Sequence, residues 1–155
     1  MKNLIWALFL VHIREPHFYL VHRMMHPWRI SWLPDVGKFM YRNFHSLHHK
    51  SYNPTSFSGT SMHVVEATFY YSAAFIAVPF GCHPCFMLGI IIDCGIGAWL
   101  GHAGFVFPGT GDYYHNIHHS VFDCNYGTSN VPLDWFFGTF CEKEEDVKNV
   151  WKKST

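Results

Sequence analysis

The chain alternates between polar, histidine-bearing stretches and apolar stretches of helix length. Residues 4–11 (LIWALFLV) are apolar behind Lys2. They are too short to span a bilayer, which takes about 20 residues. His12-Ile13-Arg14-Glu15 offers no small-residue cleavage site, so a signal peptide is not indicated. The run fits either the tail of a longer helix or an interfacial segment. Pro16 suits a first helical turn, which predicts a helix over 16–26 ending before Pro27. A loop follows over 28–35, and a second helix, polar and histidine-bearing, over 38–50. Residues 51–61, rich in Ser, Thr, Asn, Pro and Gly, read as a loop. Two apolar helix-length runs follow, about 63–80 and 84–104, separated by Pro79, Gly81 and Pro84. Their short connection predicts antiparallel neighbours, a hairpin long enough to cross or nearly cross a bilayer. A turn through Pro108-Gly109-Thr110-Gly111 precedes a helix over about 112–122. Residues 123–138 mix turn residues with Trp135, Phe136 and Phe137, and the last fifteen residues form a charged surface helix or tail.

Charge strengthens the membrane reading. Only 14% of the 155 residues are charged, against about 25% in an average soluble domain. Lys50 is followed by no Lys or Arg until Lys143, and between Glu66 and Asp112 the single formal charge is Asp93. Soluble surfaces seldom lack cations over such a length, whereas a charge in hydrocarbon costs several kcal/mol (about 2.5–3.5 on insertion scales). The remaining basic residues flank the hairpin, Arg14 to Lys50 before it and Lys143 to Lys153 after it, which places both flanks on the cytosolic side. Net charge is zero, so no general basic field draws nucleic acid. The five cysteines, Cys82, Cys85, Cys94, Cys124 and Cys141, are a poor disulfide framework, and Cys82-His83-Pro84-Cys85 lacks the second pair a zinc site needs. The expected architecture is all-α: one domain over 1–155, an integral membrane helical bundle with a transmembrane hairpin and a cytosolic, histidine-rich di-metal helical cap. The histidine core covers about 16–140 and the charged tail 141–155.

Histidine is the outlier, with thirteen residues. Three clusters stand out: His22-Arg-Met-Met-His26, His45-Ser-Leu-His48-His49 and His115-Asn-Ile-His118-His119. Residues three and four apart share a helix face, so each cluster is expected to project its imidazoles together. Eight imidazoles from three helices exceed the three or four ligands of one zinc, which predicts two ions. Imidazole suits iron, zinc and copper alike. The Glu-x-x-His motif of carboxylate-rich di-iron bundles is missing from these boxes, as is the HExxH of zinc hydrolases.

The three boxes together resemble the fatty acid hydroxylase / sterol desaturase superfamily of membrane enzymes. Phe18-Tyr19 before His22-Arg23 is similar to the family's FYxxHR, and Asn125-Tyr126-Gly127 follows the third box as it does there. Asp134 to Thr139 resembles its closing DxxFGT, His102-Ala-Gly104 with Pro108 its HxG…P, and His63-Val-Val-Glu66 its HPxE with Val64 in place of Pro. Acyl-lipid and acyl-CoA desaturases also carry three boxes but differ in spacing and closing motif. Within the hydroxylase branch, residues 54–63 look more like the sterol-modifying members.

The resemblance implies an O2-dependent di-iron oxidoreductase that hydroxylates or desaturates a lipid, a sterol foremost (sterol desaturase or methylsterol oxidase type), with a fatty acid or sphingolipid as the alternative. It implies His22, His26, His45, His48, His49, His102, His115, His118 and His119 as ligands to two irons, with zinc an adventitious occupant. His63 and Glu66 are implied as ligand or supporting residues, with Asp112 and Asn125 in support. His12, His17 and His83 stay structural. Electrons are implied to come from NAD(P)H through cytochrome b5 and its reductase, because no haem or flavin motif is visible. Hydrogen abstraction followed by rebound gives an alcohol, and a second abstraction gives an alkene. The implied location is the endoplasmic reticulum membrane, multi-pass, with boxes and C-terminus cytosolic. Lys152-Lys153-Ser154-Thr155 fits the di-lysine retrieval pattern. Family members have membrane helices before the first box, so upstream helices are expected to be lacking here. The reading from another class is a metal-binding chain without catalysis, separated by turnover with NAD(P)H and O2.

Overall fold

A computed structural model describes residues 2–76, 78–104 and 112–152, with side chains from His12 onward except those of Phe80, Asp112, Trp151 and Lys152. Every regular element among the described residues is a helix or 3-10 turn, with no strand. Helix α1 spans Lys2–Met24, α2 Val36–Asn43, α3 Val64–Tyr71, α4 Pro84–Gly101, α5 Asp112–Val121, α6 Leu133–Phe136 and α7 Val147–Lys152. Short 3-10 turns lie between them at His45–Lys50, Ser56–Thr60, Ser72–Phe75, Val78–Phe80 and Glu144–Asp146.

Three expectations change. Pro16 does not start a helix but lies inside α1; it forfeits one backbone hydrogen bond, and the helix continues through it. The second histidine box does not continue α2. Phe44 leaves helical geometry at φ −128°, and His45–Lys50 winds as a tighter 3-10 turn. The first arm of the expected hairpin is not one helix either: α3 ends at Tyr71 and the chain proceeds through 3-10 turns. Among the described residues, α4 is the one helix long and apolar enough to cross a membrane. The turn at 108–111 and the tail at 153–155 lie outside the described residues.

Helix starts are set locally. Asp35 caps α2 by accepting from Lys38 N at 2.8 Å. His63 and His83 cap α3 and α4, each ring Nδ1 accepting the second helical N–H, from Val65 at 3.1 Å and Cys85 at 3.2 Å. Pro84 occupies the first turn of α4, where its missing N–H costs nothing. The apolar cores are small. Ala73, Ala74 and Ile90 form one, and Ile117, Cys124 and Cys141 another. The apolar side of α4 is uncovered, with Leu88, Ile91, Ile92, Ile96 and Trp99 exposed. What fills the interior is polar: His22, His26, His45, His118, His119, Glu15, Glu66, Asn125 and Asp134 are among the largest fully buried side chains.

Candidate metal centre

The nine histidines of the boxes and His102 are all buried, none more than 8% exposed. They sort into two groups. His22, His26, His45, His49 and His118 form one, and His48, His102, His115 and His119 the other, with ring nitrogens within 4.8 Å of one another inside each. The first box, His22 and His26, serves one group, but neither HxxHH box does. The i, i+4 pair His45 and His49 enters the five-histidine group while His48 points to the other, and the i, i+4 pair His115 and His119 enters the four-histidine group while His118 crosses back. One residue adds about 100° on a helix, so adjacent histidines diverge and each HxxHH feeds both groups. The groups abut: the His49 and His119 ring centroids are 4.8 Å apart.

Protons decide what these groups can hold. Burial drives all nine imidazoles well below their ordinary pKa, to about 3 for His48, about 4 for His102 and about 2 for His119. Each is therefore neutral at pH 7 and carries a single N–H. In four of them that proton is committed on the outer nitrogen. His22 Nδ1 donates to the Tyr126 carbonyl, His45 Nδ1 to Glu66 Oε1, His102 Nδ1 to the Ala98 carbonyl and His118 Nδ1 to the Cys124 carbonyl, each at 2.6 Å. Their Nε2 atoms then hold only lone pairs. His22 Nε2 is buried with no hydrogen-bond partner, which is costly for an isolated polar atom. Elsewhere Nε2 atoms face one another, His45 with His26 and with His49 at 2.9 Å, His49 with His118 at 3.2 Å, and His102 with His48, His115 and His119 at 3.2, 3.0 and 3.0 Å. Nitrogens about 2.1 Å from a shared ion, at roughly 90° to 110°, stand about 3.0 to 3.4 Å apart. The donor set and spacing fit two transition-metal ions held by imidazole alone.

The motifs outside the two groups hold the histidines in place. Glu66 is fully buried and accepts the hydrogen bond from His45 Nδ1. Burial pushes its carboxyl up to about 9, and the His63 N–H acts against that shift. A cation on His45 Nε2 favours the ionised carboxylate instead. His63 itself joins neither histidine group; it caps α3 and lies tilted against Phe44, ring centroids 4.9 Å apart. His-x-x-Glu thus places Glu66 at the third helical position, aimed back under His45. Asn125 also touches no ligand. It adopts φ +55° and clamps Cys141, accepting from Cys141 N at 2.8 Å and donating to Cys141 O at 3.0 Å, which fixes the Cys124 carbonyl that His118 uses. The Asp112 side chain lies outside the described residues.

Asp134, the first residue of the closing motif, has a role in the structure that spacing alone does not disclose. It is buried and accepts from Tyr126 N (2.8 Å), Gly127 N (2.6 Å), the Tyr114 hydroxyl (2.6 Å) and the Thr139 hydroxyl (2.6 Å). This holds the Asn-Tyr-Gly loop so that the Tyr126 carbonyl meets His22. A Cβ on Gly127 would stand 2.9 Å from Asp134 Oδ2, so glycine is required there by contact. Gly59 is similar: a Cβ would meet the Ala98 carbonyl at 2.2 Å and His102 Nδ1 at 2.8 Å.

The Fatty acid hydroxylase family matches residues 7–139, most of the chain. The chain belongs to the fatty acid hydroxylase family. That family lies within the superfamily of histidine-box di-iron oxidoreductases and is membrane-bound. The chain is 29% identical to Delta(7)-sterol-C5(6)-desaturase of Nicotiana tabacum over 97% of its own length and 55% of that protein's. It is 27% identical to human (Homo sapiens) cholesterol 25-hydroxylase over 85% of its length and 50% of the relative's, and 27% identical to sphinganine C4-monooxygenase 2 of Arabidopsis thaliana over 79% and 49%. The chain spans about half the length of the curated relatives it matches. No solved structure matches it.

A cavity of about 260 Å³ opens beside the two groups, reaching His22, His48, His102 and His115 between α1 and α4. Its wall is mostly apolar, with Phe18, Tyr70, Ile96 and Leu100 among the lining residues.

Proposed function

We propose that this chain is the histidine-box unit of a membrane-bound, O2-dependent enzyme that hydroxylates or desaturates a lipid, with a sterol as substrate. The carrying observation is the division of nine neutral, buried imidazoles into five and four, with the ring nitrogens of each group gathered within 4.8 Å of one another. His22, His26, His45, His49 and His118 hold one iron and His48, His102, His115 and His119 the other. Two irons, when bound, supply the reductive activation of O2 and the cleavage of an unactivated C–H bond. The chain's own residues do the rest. Tyr126, Glu66, Ala98 and Cys124 fix the tautomer and ring direction of four ligands. Phe18, Tyr70, Ile96 and Leu100 keep water from the substrate bond. The uncovered apolar side of α4 faces lipid, which favours a membrane setting over a buried core helix. Cytochrome b5 and its reductase deliver electrons from NAD(P)H, and the site faces the cytosol at the endoplasmic reticulum.

The test is metal content of the detergent-solubilised chain. Wild type should hold two irons per chain. His48→Ala should lose one and His118→Ala the other, because each removes a ligand from a different group, and the double variant should hold none. Iron retained by the double variant, or a wild type that binds no transition metal, overturns the reading. Loaded chain that turns over no lipid with NAD(P)H, O2 and cytochrome b5 leaves the metal-binding alternative.

A further inference from the structure

Arg14 lies on α1 eight residues before His22, and Asp93 on α4 nine before His102. At 1.5 Å per residue both stand roughly 12 Å from the histidines along their helices. They meet across the cavity: Arg14 Nε is 2.6 Å from Asp93 Oδ2. Arg14 also pairs with Glu15, whose other oxygen accepts from the Thr128 hydroxyl. Arg14, His17, Asp93, Thr128 and Asn130 all line the same cavity that reaches His22 and His102. A cavity with imidazoles at one end therefore has an ion-pair network at the other, joined by an apolar wall. An acid within a helix long and apolar enough to cross a membrane is expensive to keep and usually serves a site.

We propose that this end binds the hydroxyl of a neutral lipid alcohol and rejects lipids that end in a carboxylate, sulfate or phosphate. The inference rests on the lipid-oxidising reading above and narrows its substrate class. Charge is the argument. Arginine stays protonated, and one guanidinium against two carboxylates leaves the cluster with a net negative charge. Burial lowers the pKa of His17, so it adds no compensating cation. An anionic headgroup meets repulsion here. A hydroxyl finds both partners it needs: the half-exposed Asp93 carboxylate can accept its proton, and Arg14 Nη1 is free to donate to its oxygen. That nitrogen makes no hydrogen bond among the described residues, and it faces Gly97 with no side chain between, the missing Cβ standing 3.8 Å away. The hydroxyl and the carbon presented to the histidines are then on the order of 12 Å apart.

The test uses matched lipid pairs that differ only in headgroup: cholesterol against cholesterol sulfate, and 1-octadecanol against octadecanoate, at about pH 8 where the acid is ionised. Binding is measured by competition on the metal-loaded chain in nanodiscs, and metal content is read on the same samples. Each alcohol should bind about tenfold or more tighter than its anion. Asp93→Asn should bring both ratios to within about threefold by removing one carboxylate, and Asp93→Glu should keep them. Equal or tighter binding of the anions to wild type overturns the proposal and needs no variant to fold. Ratios unchanged in Asp93→Asn, at unchanged metal content, overturn the assignment to Asp93. Failure of the oxidation reading shows separately, as absent iron or absent turnover with the alcohol preference intact.

Discussion

Acid should dismantle this protein well above the pKa of its buried histidines. His22, His26, His45, His48, His49, His102, His115, His118 and His119 are each at most 8% exposed, and burial depresses all their pKa values. A histidine with a depressed folded pKa binds fewer protons folded than unfolded, so its contribution to stability is present above the unfolded value near 6.5 and is lost as pH falls below it. One pH unit below 6.5, each neutral imidazole costs about 1.4 kcal/mol relative to the unfolded chain. Nine together cost on the order of 12 kcal/mol, and whole domains are stable by about 5–15 kcal/mol. Values of about 3, 4 and 2 at His48, His102 and His119 are therefore never reached by titration of the intact fold. The fold opens first, near pH 5.5 to 6 (about one unit or less below 6.5), and takes up several protons in one step. Bound metal moves the midpoint lower by mass action, since protons and metal compete for the same nitrogens. Tryptophan fluorescence and release of metal to a colorimetric chelator, followed from about pH 8 to 4, should change together and steeply. A fold and metal content both intact near pH 4, or a transition that takes up about one proton, refutes the reasoning.

Other perturbations separate the parts of the site. Glu66→Gln removes the charged acceptor of His45 Nδ1 and should lower affinity at the five-histidine site about 10- to 100-fold; chelator competition should show two sites where wild type shows near-equal ones. Asp134→Ala leaves buried donors from Tyr126, Gly127, Tyr114 and Thr139 without their acceptor, at about 1–3 kcal/mol for each left unsatisfied, so the thermal midpoint should fall by about ten degrees or more on the scale of about 2–4 °C per kcal/mol for a chain of this size. Gly59→Ala drives a methyl into the Ala98 carbonyl and His102 and should empty the four-histidine site first, read as half the metal content of wild type. A chelator that strips both ions should lower the thermal midpoint and raise binding of a dye for exposed apolar surface.

The site was more legible in the sequence than the fold. Histidines at i, i+3 and i+4 point to a metal site because side-chain chemistry and spacing are local properties; the eight of the boxes converge, joined by His102, which the family resemblance supplied. Their assignment to one ion or the other was not legible, since it depends on how α1, α4, α5 and the 3-10 turn at His45–Lys50 face one another. Hydropathy located α4 to within a few residues at its end, because Pro84 and its cap mark the start. It failed over 63–80, where apolar composition is shared by helix and 3-10 turn and the i→i+3 turn at Ser72–Phe75 carries no distinct apolar period. Pro16 misled for the opposite reason: a start marker is also tolerated inside a long helix when neighbours restrain the chain. Asp134 was invisible as a function because its partners, Tyr126 and Gly127, lie in a loop that no periodicity describes.

The imidazole tethers explain why the motifs are scattered over most of the chain. Four of the nine histidines have the outer nitrogen tethered, and for three of these the tether comes from another element or the next loop, the exception being His102, held by Ala98 of its own helix. His22 of α1 depends on Tyr126, which depends on Asp134 of α6; His45 depends on Glu66 of α3, which depends on the cap at His63; His118 depends on Cys124, which depends on Asn125 and Cys141. The apolar clusters, three buried residues each, are too small to organise these elements by hydrophobic burial alone. The interior is instead a shell of fixed dipoles turned toward two points. The Nε2 atoms of His22, His45, His102 and His118 turn bare lone pairs inward, and a cation at each point would satisfy them together. Metal binding should therefore be coupled to folding in this chain. A substitution far from the two histidine groups, such as one at Asp134, should weaken metal binding through the tautomer of His22, and metal content of the variant checks it.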